Sequence, residues 1–242
     1  MIFDWFYSAL PKDFFQGACD VHCHLLPGVD DGFPTEGKSL EALHWLGDHG
    51  IRKMKLTPHF MKEYAENTRT TIEERFKLFS EGEASKLPVV LSLAGEYMLD
   101  NGFMGHCEEG FLTLDKEGTL VLCETSYMMM EPQAKERLYN IMLKGYQPVI
   151  AHPERYRYAD KVLYMRWKQR EYLFQLNLLS LSGAYGNTAK AKAHQLLKCG
   201  MYDFVGSDLH RLNNLVERVK SIRLSTKEID QLQKLLENNK TL

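Results

Sequence analysis

Residues 18–24, ACDVHCH, form a short apolar run that ends in two histidines separated by one residue. The branched and apolar side chains are typical of a buried β-strand. Because residues two apart on a strand face the same side, His22 and His24 can offer two imidazoles to one metal ion. A single H-x-H arises often by chance, and a lone strand-end histidine is more often a hydrogen-bonded structural residue than a ligand. Other strand ends must therefore supply further ligands if this is a metal site.

Outward from this run, short apolar segments alternate with longer amphipathic stretches. Strands are predicted at residues 18–24, 51–57, 89–95, 119–124, 147–152, 173–177 and 204–208. Helices are predicted at residues 39–49, 72–85, 133–144, 189–198 and 225–239, with capping boxes that pair Thr71 with Glu74 and Ser225 with Glu228. This alternation favours an α/β fold of parallel strands joined by crossover helices, and about seven such units favour a barrel over a small open sheet.

The composition indicates one globular domain. The 242 residues include 44% hydrophobic and 26% charged side chains, and no Pro-, Gly- or Ser-rich linker divides them. We expect a single domain over residues 1–242, in which residues 1–17 form an N-terminal arm that packs on the rest. Membrane contact or a dimer interface stays open for the aromatic arm, which includes Phe3, Trp5 and Phe6. The oligomeric state is likewise left open.

Charge and cysteine content limit the class of partner and the compartment. A formal net charge of −2 gives no overall attraction to nucleic acid or to an anionic membrane, so an anionic substrate must be bound locally. Residues 1–10 carry Asp4, lack a basic leader and are too short to span a bilayer, so we expect neither a signal peptide nor a membrane span. The five cysteines form no regular disulfide framework, which indicates reduced thiols in the cytoplasm.

Ionisable side chains stand at or just after the C-terminal end of nearly every predicted strand. These residues are His22, His24, His59, Glu96, Glu124, His152, Asp208 and His210. In a parallel barrel the C-terminal strand ends converge on one rim, where loops build active sites. So many ionisable groups would repel or desolvate one another unless a cation lay among them. The pattern therefore predicts a metal site at the C-terminal rim of the strands.

Seven short motifs, taken in order, resemble those of the polymerase and histidinol phosphatase (PHP) superfamily. They are DVHCH at 20–24, VDDG at 29–32, TPH at 57–59, AGE at 94–96, LCET at 122–125, IAHPER at 150–155 and GSDLH at 206–210. Within that superfamily the chain resembles, over nearly its whole length, the bacterial protein-tyrosine phosphatases of capsule and exopolysaccharide synthesis. The resemblance implies a distorted (β/α)7 barrel of the PHP type that binds two or three divalent metal ions.

The resemblance also implies which residues hold each ion. The first ion would be held by His22, His24, Glu96 and Asp208, and Glu96 would bridge to a second ion held by Glu124 and His152. The third ion would be held by Asp31, His59 and His210. Asp31 is preferred to Asp30, although D-D-G is also a common turn sequence. Mixed imidazole and carboxylate ligands suit manganese, which we favour, and also iron or zinc, whereas they suit magnesium less well.

Phosphate binding is assigned to arginines near the metal ligands. Arg155 closes the IAHPER motif, and its guanidinium can grip two phosphate oxygens at once. The family pattern has a second arginine several residues after the D-x-H motif, but Leu215 occupies that place here. Two arginines lie nearby, and of these Arg211 rather than Arg218 is taken as the second substrate-binding candidate.

Other phosphatase chemistries lack their motifs. No cysteine is followed six residues later by arginine, and neither a G-x-S-x-G elbow nor a nucleotide-binding glycine loop is present. The expected nucleophile is therefore a hydroxide that bridges two metal ions and attacks phosphorus in line. The candidate catalytic residues are Arg155, Asp208 and His210. For phosphotyrosine the leaving phenolate has a parent pKa of about 10, so it needs only modest help from an acid.

The expected substrate is a phosphotyrosine-bearing protein, and the resemblance suggests the tyrosine-rich tail of a bacterial tyrosine kinase. Two other classes of function stay open. A small-molecule phosphatase such as histidinol phosphatase would share the metal site but would need an enclosed pocket with an acid to hold an amine. A noncatalytic PHP scaffold would have lost ligands, whereas this chain retains all nine candidates.

Overall fold

Parallel β-strands organise the described part of the chain, residues 8–11 and 13–242, in this computed structural model. The strands are β1 (Cys19–Cys23), β2 (Lys53–Leu56), β3 (His59–Phe60), β4 (Val90–Leu93), β5 (Glu96–Met98), β6 (Leu120–Glu124), β7 (Gln147–Ala151), β8 (Leu173–Asn177) and β9 (Phe204–Gly206). The helices are α1 (Glu36–Asp48), α2 (Arg69–Glu81), α3 (Phe103–Glu109), α4 (Ala134–Leu143), α5 (Lys161–Gln169), α6 (Asn187–Lys198), α7 (Leu212–Val219) and α8 (Thr226–Asn239). Each ladder between these strands is parallel.

The strands lie in two sheets that together curl into a half-barrel. One sheet has the order β1-β2-β4, and the other has the order β3-β5-β6-β7-β8-β9. The segment after β9 lies against the end of β1, because Asp208 N donates to His22 O at 2.8 Å and His24 N donates to Leu209 O at 3.0 Å. The first and last strands are therefore neighbours.

All seven predicted strands are present, and two of them are followed, after a break of two residues, by a further short strand. The strand predicted at residues 51–57 corresponds to β2, and β3 follows it. The strand predicted at residues 89–95 corresponds to β4, and β5 follows it. The breaks fall at Pro58, which has no backbone N–H, and at Gly95, whose N–H bonds to Leu112 O at 3.0 Å outside the ladder. Residues His59 and Glu96 are directly opposite each other in the β3–β5 pair. Each of these two candidate ligands is therefore the first residue of a short strand.

The predicted helices are confirmed with shifted ends, whereas α3, α5 and α7 were not predicted. Helix α2 begins one turn earlier than expected, with Thr68 as its N-cap and Thr71 as the other half of the capping box. The predicted box of Thr71 with Glu74 is therefore wrong, because the Thr71 hydroxyl already bonds to the backbone of residues 66 and 68. The predicted box of Ser225 with Glu228 at the start of α8 is confirmed.

The predicted N-terminal arm lies partly outside the described residues, and the predictions on Phe3, Trp5 and Phe6 fall there. Ser8 forms an antiparallel bridge with Leu224, and the half-buried Phe14 packs against the main core. Within the described ranges, no helix has the length and apolar character needed to cross a membrane.

Candidate metal centre

The two histidines at the end of β1 direct the same ring nitrogen to a common point. The Nε2 atoms of His22 and His24 lie 3.3 Å apart, and both side chains are buried. Gln175 Oε1 lies 2.9 Å from His22 Nδ1, and Asp30 Oδ2 lies 2.8 Å from His24 Nδ1. A hydrogen-bond acceptor at Nδ1 selects the tautomer that leaves Nε2 free to bind a metal. Both imidazoles are therefore oriented as ligands.

Glu96 and Asp208 complete a group of four around these nitrogens. Glu96 Oε2 lies 3.1 Å from His22 Nε2 and 3.3 Å from His24 Nε2. Asp208 Oδ1 lies 3.5 Å and 3.2 Å from the same two atoms. One ligand atom from each residue lies within 4.8 Å of the others, and all four residues are buried. Two imidazoles and two carboxylates in this arrangement can bind one divalent cation.

A second group contains Glu96 again, together with His59 and Glu124. His59 Nδ1 lies 3.1 Å from Glu96 Oε2 and 3.2 Å from Glu124 Oε1. These three facing atoms are among the few buried side-chain atoms in the described residues that lack a hydrogen-bond partner. Because buried polar atoms are rarely left unpaired, three of them converging on one point indicate that their partner is a cation.

A third group lies nearer the surface and contains His24, Asp31, His59 and His210. Asp31 Oδ1 lies 3.2 Å from His210 Nε2 and 3.6 Å from His59 Nε2. The side chain of Asp31 is 59% exposed, so this group opens to solvent. Asp30 instead turns inward, where it holds His24 and accepts hydrogen bonds from His59 N at 3.1 Å and Gly32 N at 2.9 Å.

His152 lies outside these three groups but faces the same carboxylates. Its Nε2 lies 3.0 Å from Glu96 Oε1 and 3.7 Å from Glu124 Oε2, so it approaches the oxygens that His59 does not face. His152 and Asp208 have φ angles of 34° and 51°, in the left-handed region that residues other than glycine rarely adopt. Such strain persists where the surrounding structure enforces it, and it is common at functional sites.

Burial and the opposing charges act against each other at these ligands. Burial raises the pKa of Glu96, but His22 and His59 outweigh it and hold the pKa well below its ordinary value. Burial likewise raises the pKa of Asp208, and His22, His24 and Arg155 hold it well below its ordinary value. Burial lowers the pKa of His22, but Glu96 and Asp208 raise it to about 9. A cation that binds His22 near neutral pH therefore displaces a proton.

Comparison with known proteins identifies the family. The profile described as capsular polysaccharide synthesis, CpsB/CapC, matches residues 18–239. This chain belongs to the CpsB/CapC family. Tyrosine-protein phosphatase YwqE of Bacillus subtilis is 30% identical over 202 residues, which cover 80% of this chain and 77% of YwqE. Tyrosine-protein phosphatase CpsB of Streptococcus pneumoniae is 26% identical over 208 residues, which cover 81% of this chain and 84% of CpsB.

A solved structure supports the same CpsB/CapC assignment. It comes from work on YwqE of Bacillus subtilis and CpsB of Streptococcus pneumoniae, described as unique metal-dependent tyrosine phosphatases. The TM-score is 0.73 at 25% sequence identity, and the match covers 91% of this chain and 94% of that chain. The fold of this chain is therefore similar to that of a metal-dependent phosphatase of the CpsB/CapC family over nearly its whole length.

Arg155 of this CpsB/CapC chain lies against the candidate metal ligands. Its Nη1 donates to Asp208 Oδ2 at 2.6 Å, and its side chain is 15% exposed. The guanidinium carbon lies 4.3 Å from the ring centre of Tyr127 and 4.1 Å from that of Tyr185. Burial lowers the pKa of Arg155, but Asp208 outweighs it and raises the pKa above its ordinary value. Arg155 is therefore a fixed cation beside the ligand groups.

Arg211 has a different environment from Arg155. Its Nη1 donates to the carbonyl oxygens of Asp31 at 3.0 Å, of Gly32, and of His210 at 2.6 Å, so it ties the D-D-G loop to the segment after β9. Leu215, which stands where the family pattern has arginine, is buried on α7. A cleft of about 220 Å³ contains Asp31, Arg155, Tyr185, His210 and Arg211 in its wall. The assignment of Arg211 to substrate binding stays a prediction.

Sequence reasoning missed the side chains that orient the ligands, namely Asp30 as an orienting residue, Tyr127, Gln175, Asn177 and Tyr185. Asn177 Nδ2 donates to Asp208 Oδ2 at 2.8 Å and to the Tyr185 hydroxyl at 3.0 Å. Gln175 and Asn177 are alternate residues at the end of the predicted strand 173–177, so the spacing that identified H-x-H could have identified them. Tyr127 and Tyr185 follow no periodic pattern, and no sequence signal distinguishes them from the other tyrosines.

Proposed function

We propose that this chain is a metal-dependent protein-tyrosine phosphatase that acts in capsular or exopolysaccharide synthesis. The observation that carries the proposal is the convergence of three buried, unpartnered atoms, His59 Nδ1, Glu96 Oε2 and Glu124 Oε1, beside a buried group of four ligands. Membership of the CpsB/CapC family and the names of the relatives YwqE and CpsB support the reaction.

The proposal includes two or three divalent ions, each with its own residues. The first would be held by His22, His24, Glu96 and Asp208, the second by Glu96, Glu124 and His152, and the third by Asp31, His59 and His210. The two oxygens of Glu96 face different histidines, Oε2 towards His22 at 3.1 Å and Oε1 towards His152 at 3.0 Å, which suits a bridging carboxylate. The mixed donors favour manganese, with iron, zinc or magnesium as alternatives.

The side chains around the ligands would bind and orient the phosphate. When bound, the ions supply a water of lowered pKa and neutralise charge on the phosphoryl oxygens. Among the described residues, Arg155 hydrogen-bonds through Nη1 alone, to Asp208, so its remaining N–H groups are available to a phosphate oxygen. His210 is 27% exposed and lies in the solvent-facing group, where, with only the first two ions bound, its ring can donate a proton to the leaving phenolate.

The proposed substrate is a phosphotyrosine-bearing protein, such as the tyrosine-rich tail of a bacterial tyrosine kinase. The solvent-facing third group and the cleft beside it suit a protein segment better than an enclosed metabolite. We place the enzyme in the cytoplasm, which agrees with five unpaired cysteines. The proposed architecture is a single PHP-type domain with a distorted (β/α)7 barrel, in which β2 with β3, and β4 with β5, each count as one strand.

Hydrolysis of phosphopeptides by purified, metal-loaded protein tests this proposal. We expect kcat/KM for phosphotyrosine peptides to exceed that for phosphoserine peptides or histidinol phosphate at least about tenfold, because a phenolate leaves more readily than an alkoxide. His22→Ala and Glu96→Ala should abolish activity and lower metal content while the circular dichroism spectrum is retained. His49→Ala is the matched control, because the His49 imidazole is exposed and hydrogen-bonds to the backbone oxygen of residue 45. Full activity after chelation would contradict metal dependence, and preference for histidinol phosphate would contradict the tyrosine assignment.

A further inference from the structure

We propose that Tyr127 is a positioning residue that couples the metal ligand Glu124 to the phosphate-binding Arg155, an inference that rests on the proposed function. Tyr127 follows β6 by three residues, and its side chain is partly buried. Its hydroxyl donates to Glu124 Oε2 at 3.3 Å, while its ring lies 4.3 Å from the guanidinium carbon of Arg155. A single side chain therefore contacts a metal ligand and the cation expected to bind phosphate.

The hydroxyl of Tyr127 holds one oxygen of the Glu124 carboxylate and leaves the other towards His59. Oε2 accepts the hydrogen bond from Tyr127, whereas Oε1 has no hydrogen-bond partner and lies 3.2 Å from His59 Nδ1. The last torsion of a glutamate is broad, so the carboxylate plane is held by its contacts rather than by a rotamer well. Removing the hydroxyl should therefore loosen Glu124 as a ligand without altering the ring.

The ring of Tyr127 restricts the guanidinium of Arg155 from one side. The ring of Tyr185 contacts the same group, with its centre 4.1 Å from Cζ, and Asp208 Oδ2 holds Nη1 at 2.6 Å. Cation–π contact with two rings lowers the rotamer freedom that Arg155 must lose when it binds phosphate. Tyr185 contacts Arg155 and Asn177, and its hydroxyl bonds to the amide that holds Asp208. Tyr127 thus connects Arg155 to Glu124, and Tyr185 connects it through Asn177 to Asp208.

Two substitutions at Tyr127 separate the role of the hydroxyl from that of the ring. Tyr127→Phe should lower manganese affinity about tenfold, as expected for loss of a group that orients a ligand, and should leave the Kd for inorganic phosphate within about twofold. Tyr127→Leu should in addition weaken phosphate binding to the metal-loaded protein about fivefold, through loss of the cation–π contact. Titration calorimetry with manganese and with inorganic phosphate measures the two affinities. In steady-state kinetics with an aryl phosphate, the KM should rise in Tyr127→Leu and stay nearly unchanged in Tyr127→Phe, whereas kcat should fall in both variants.

A double-mutant cycle tests whether the effect passes through Arg155. Tyr127→Leu should cause no further loss of phosphate affinity in an Arg155→Ala background. An equal loss in both backgrounds, or a Tyr127→Phe variant with unchanged manganese affinity, would overturn the coupling. Tyr139→Leu, on the exposed face of α4, is the control and should change neither affinity. A wild-type protein that binds phosphate but does not hydrolyse phosphotyrosine would contradict the proposed function. If the wild type hydrolyses phosphotyrosine but the effects of the two substitutions are additive, only the role of Tyr127 is contradicted.

Discussion

The imidazoles of the H-x-H motif differ in the residue that holds each ring. His22 Nδ1 lies 2.9 Å from the neutral amide oxygen of Gln175, whereas His24 Nδ1 lies 2.8 Å from a carboxylate oxygen of Asp30. A carboxylate partner increases the basicity of an imidazole and strengthens its bond to a metal. At the scale of the single residue, His24 is therefore the more strongly polarised of the two candidate ligands.

Asp30→Asn isolates the effect of that charge, because it keeps the shape of the side chain and removes the carboxylate. We expect metal affinity to fall about tenfold, as for other residues that orient ligands. Competition with a chelating dye measures the affinity, and the exposed Asp48→Asn on α1 is the control for a lost negative charge. An Asp30→Asn variant that binds manganese as tightly as wild type would show that the carboxylate has no such role.

At the scale of the element, the contact of β9 with β1 depends on close approach. Asp20 Oδ1 accepts hydrogen bonds from the backbone N of His22 at 3.2 Å and of Ser207 at 3.0 Å, which joins the two strands. A Cβ atom at Gly206 would lie 2.5 Å from the Cβ of His22, closer than side chains approach in folded proteins. Glycine at this position therefore allows the strand that leads to Asp208 to lie beside the H-x-H strand.

Gly206→Ala should disturb the metal centre through this packing. Overlap in a close-packed interior typically lowers stability by about 1–3 kcal/mol, and His22 is the side chain that must move. Urea unfolding gives the change in free energy, and elemental analysis should show reduced metal content. Gly37→Ala in α1 is the control, since a Cβ there meets open space and alanine favours a helix by up to about 1 kcal/mol. Equal stability of the two variants would argue against close approach at Gly206.

Helices α6 and α8 are connected through the buried carboxylate of Glu228. Its Oε2 accepts from Ser225 N at 2.8 Å, and its Oε1 lies 2.5 Å from His194 Nδ1 and 3.7 Å from Lys198 Nζ. Burial raises the pKa of Glu228, but the hydrogen bonds from Ser225 and the contact with His194 lower it below its ordinary value. A lowered pKa in the folded state means that the ionised group stabilises the fold.

The stabilisation by Glu228 should depend on pH in a defined direction. It is present above the unfolded-state pKa of about 4.3 and is lost as pH falls through the lower folded-state pKa. Glu228→Gln should therefore lower the free energy of unfolding by about 1–3 kcal/mol at pH 7, and the difference from wild type should shrink below about pH 4. The exposed Glu237→Gln on the same helix should change stability by less than about 0.5 kcal/mol. A difference that grows as pH falls would contradict this sign.

At the scale of the whole molecule, the candidate ligands join segments from residue 22 to residue 210. A cation bound there would stabilise the folded state alone, by about 4 kcal/mol when its concentration exceeds Kd a thousandfold. For a chain of this length that corresponds to a rise in Tm of about 8 °C or more. We expect chelated protein to melt lower than manganese-loaded protein, and His22→Ala to respond little to manganese. Identical melting curves for loaded and chelated wild type would count against a metal that links these segments.

The sequence alone predicted the parallel α/β fold and the ionisable residues that come together at the strand ends. Both follow from local rules: buried strands are apolar runs, alternate residues share a face, and the ends of parallel strands meet at one edge. The same rules failed for α3, α5 and α7, which are short and lie among loops, and for the breaks after β2 and β4. Apolar periodicity does not show where the hydrogen bonds between two neighbouring strands stop and then start again in the same register.

Only the tertiary structure decided which residues hold the ligands in place. Gln175 lies 153 residues from His22, and Tyr127 and Tyr185 meet on Arg155 from two separate loops. No local pattern pairs Gln175 with His22 or either tyrosine with Arg155, because an orienting hydrogen bond or a cation–π pair depends on how distant strands and loops are packed. The types of ligand are therefore encoded along the chain, whereas their orientation exists only once β1, β8 and the loops after β6 and β8 have come together.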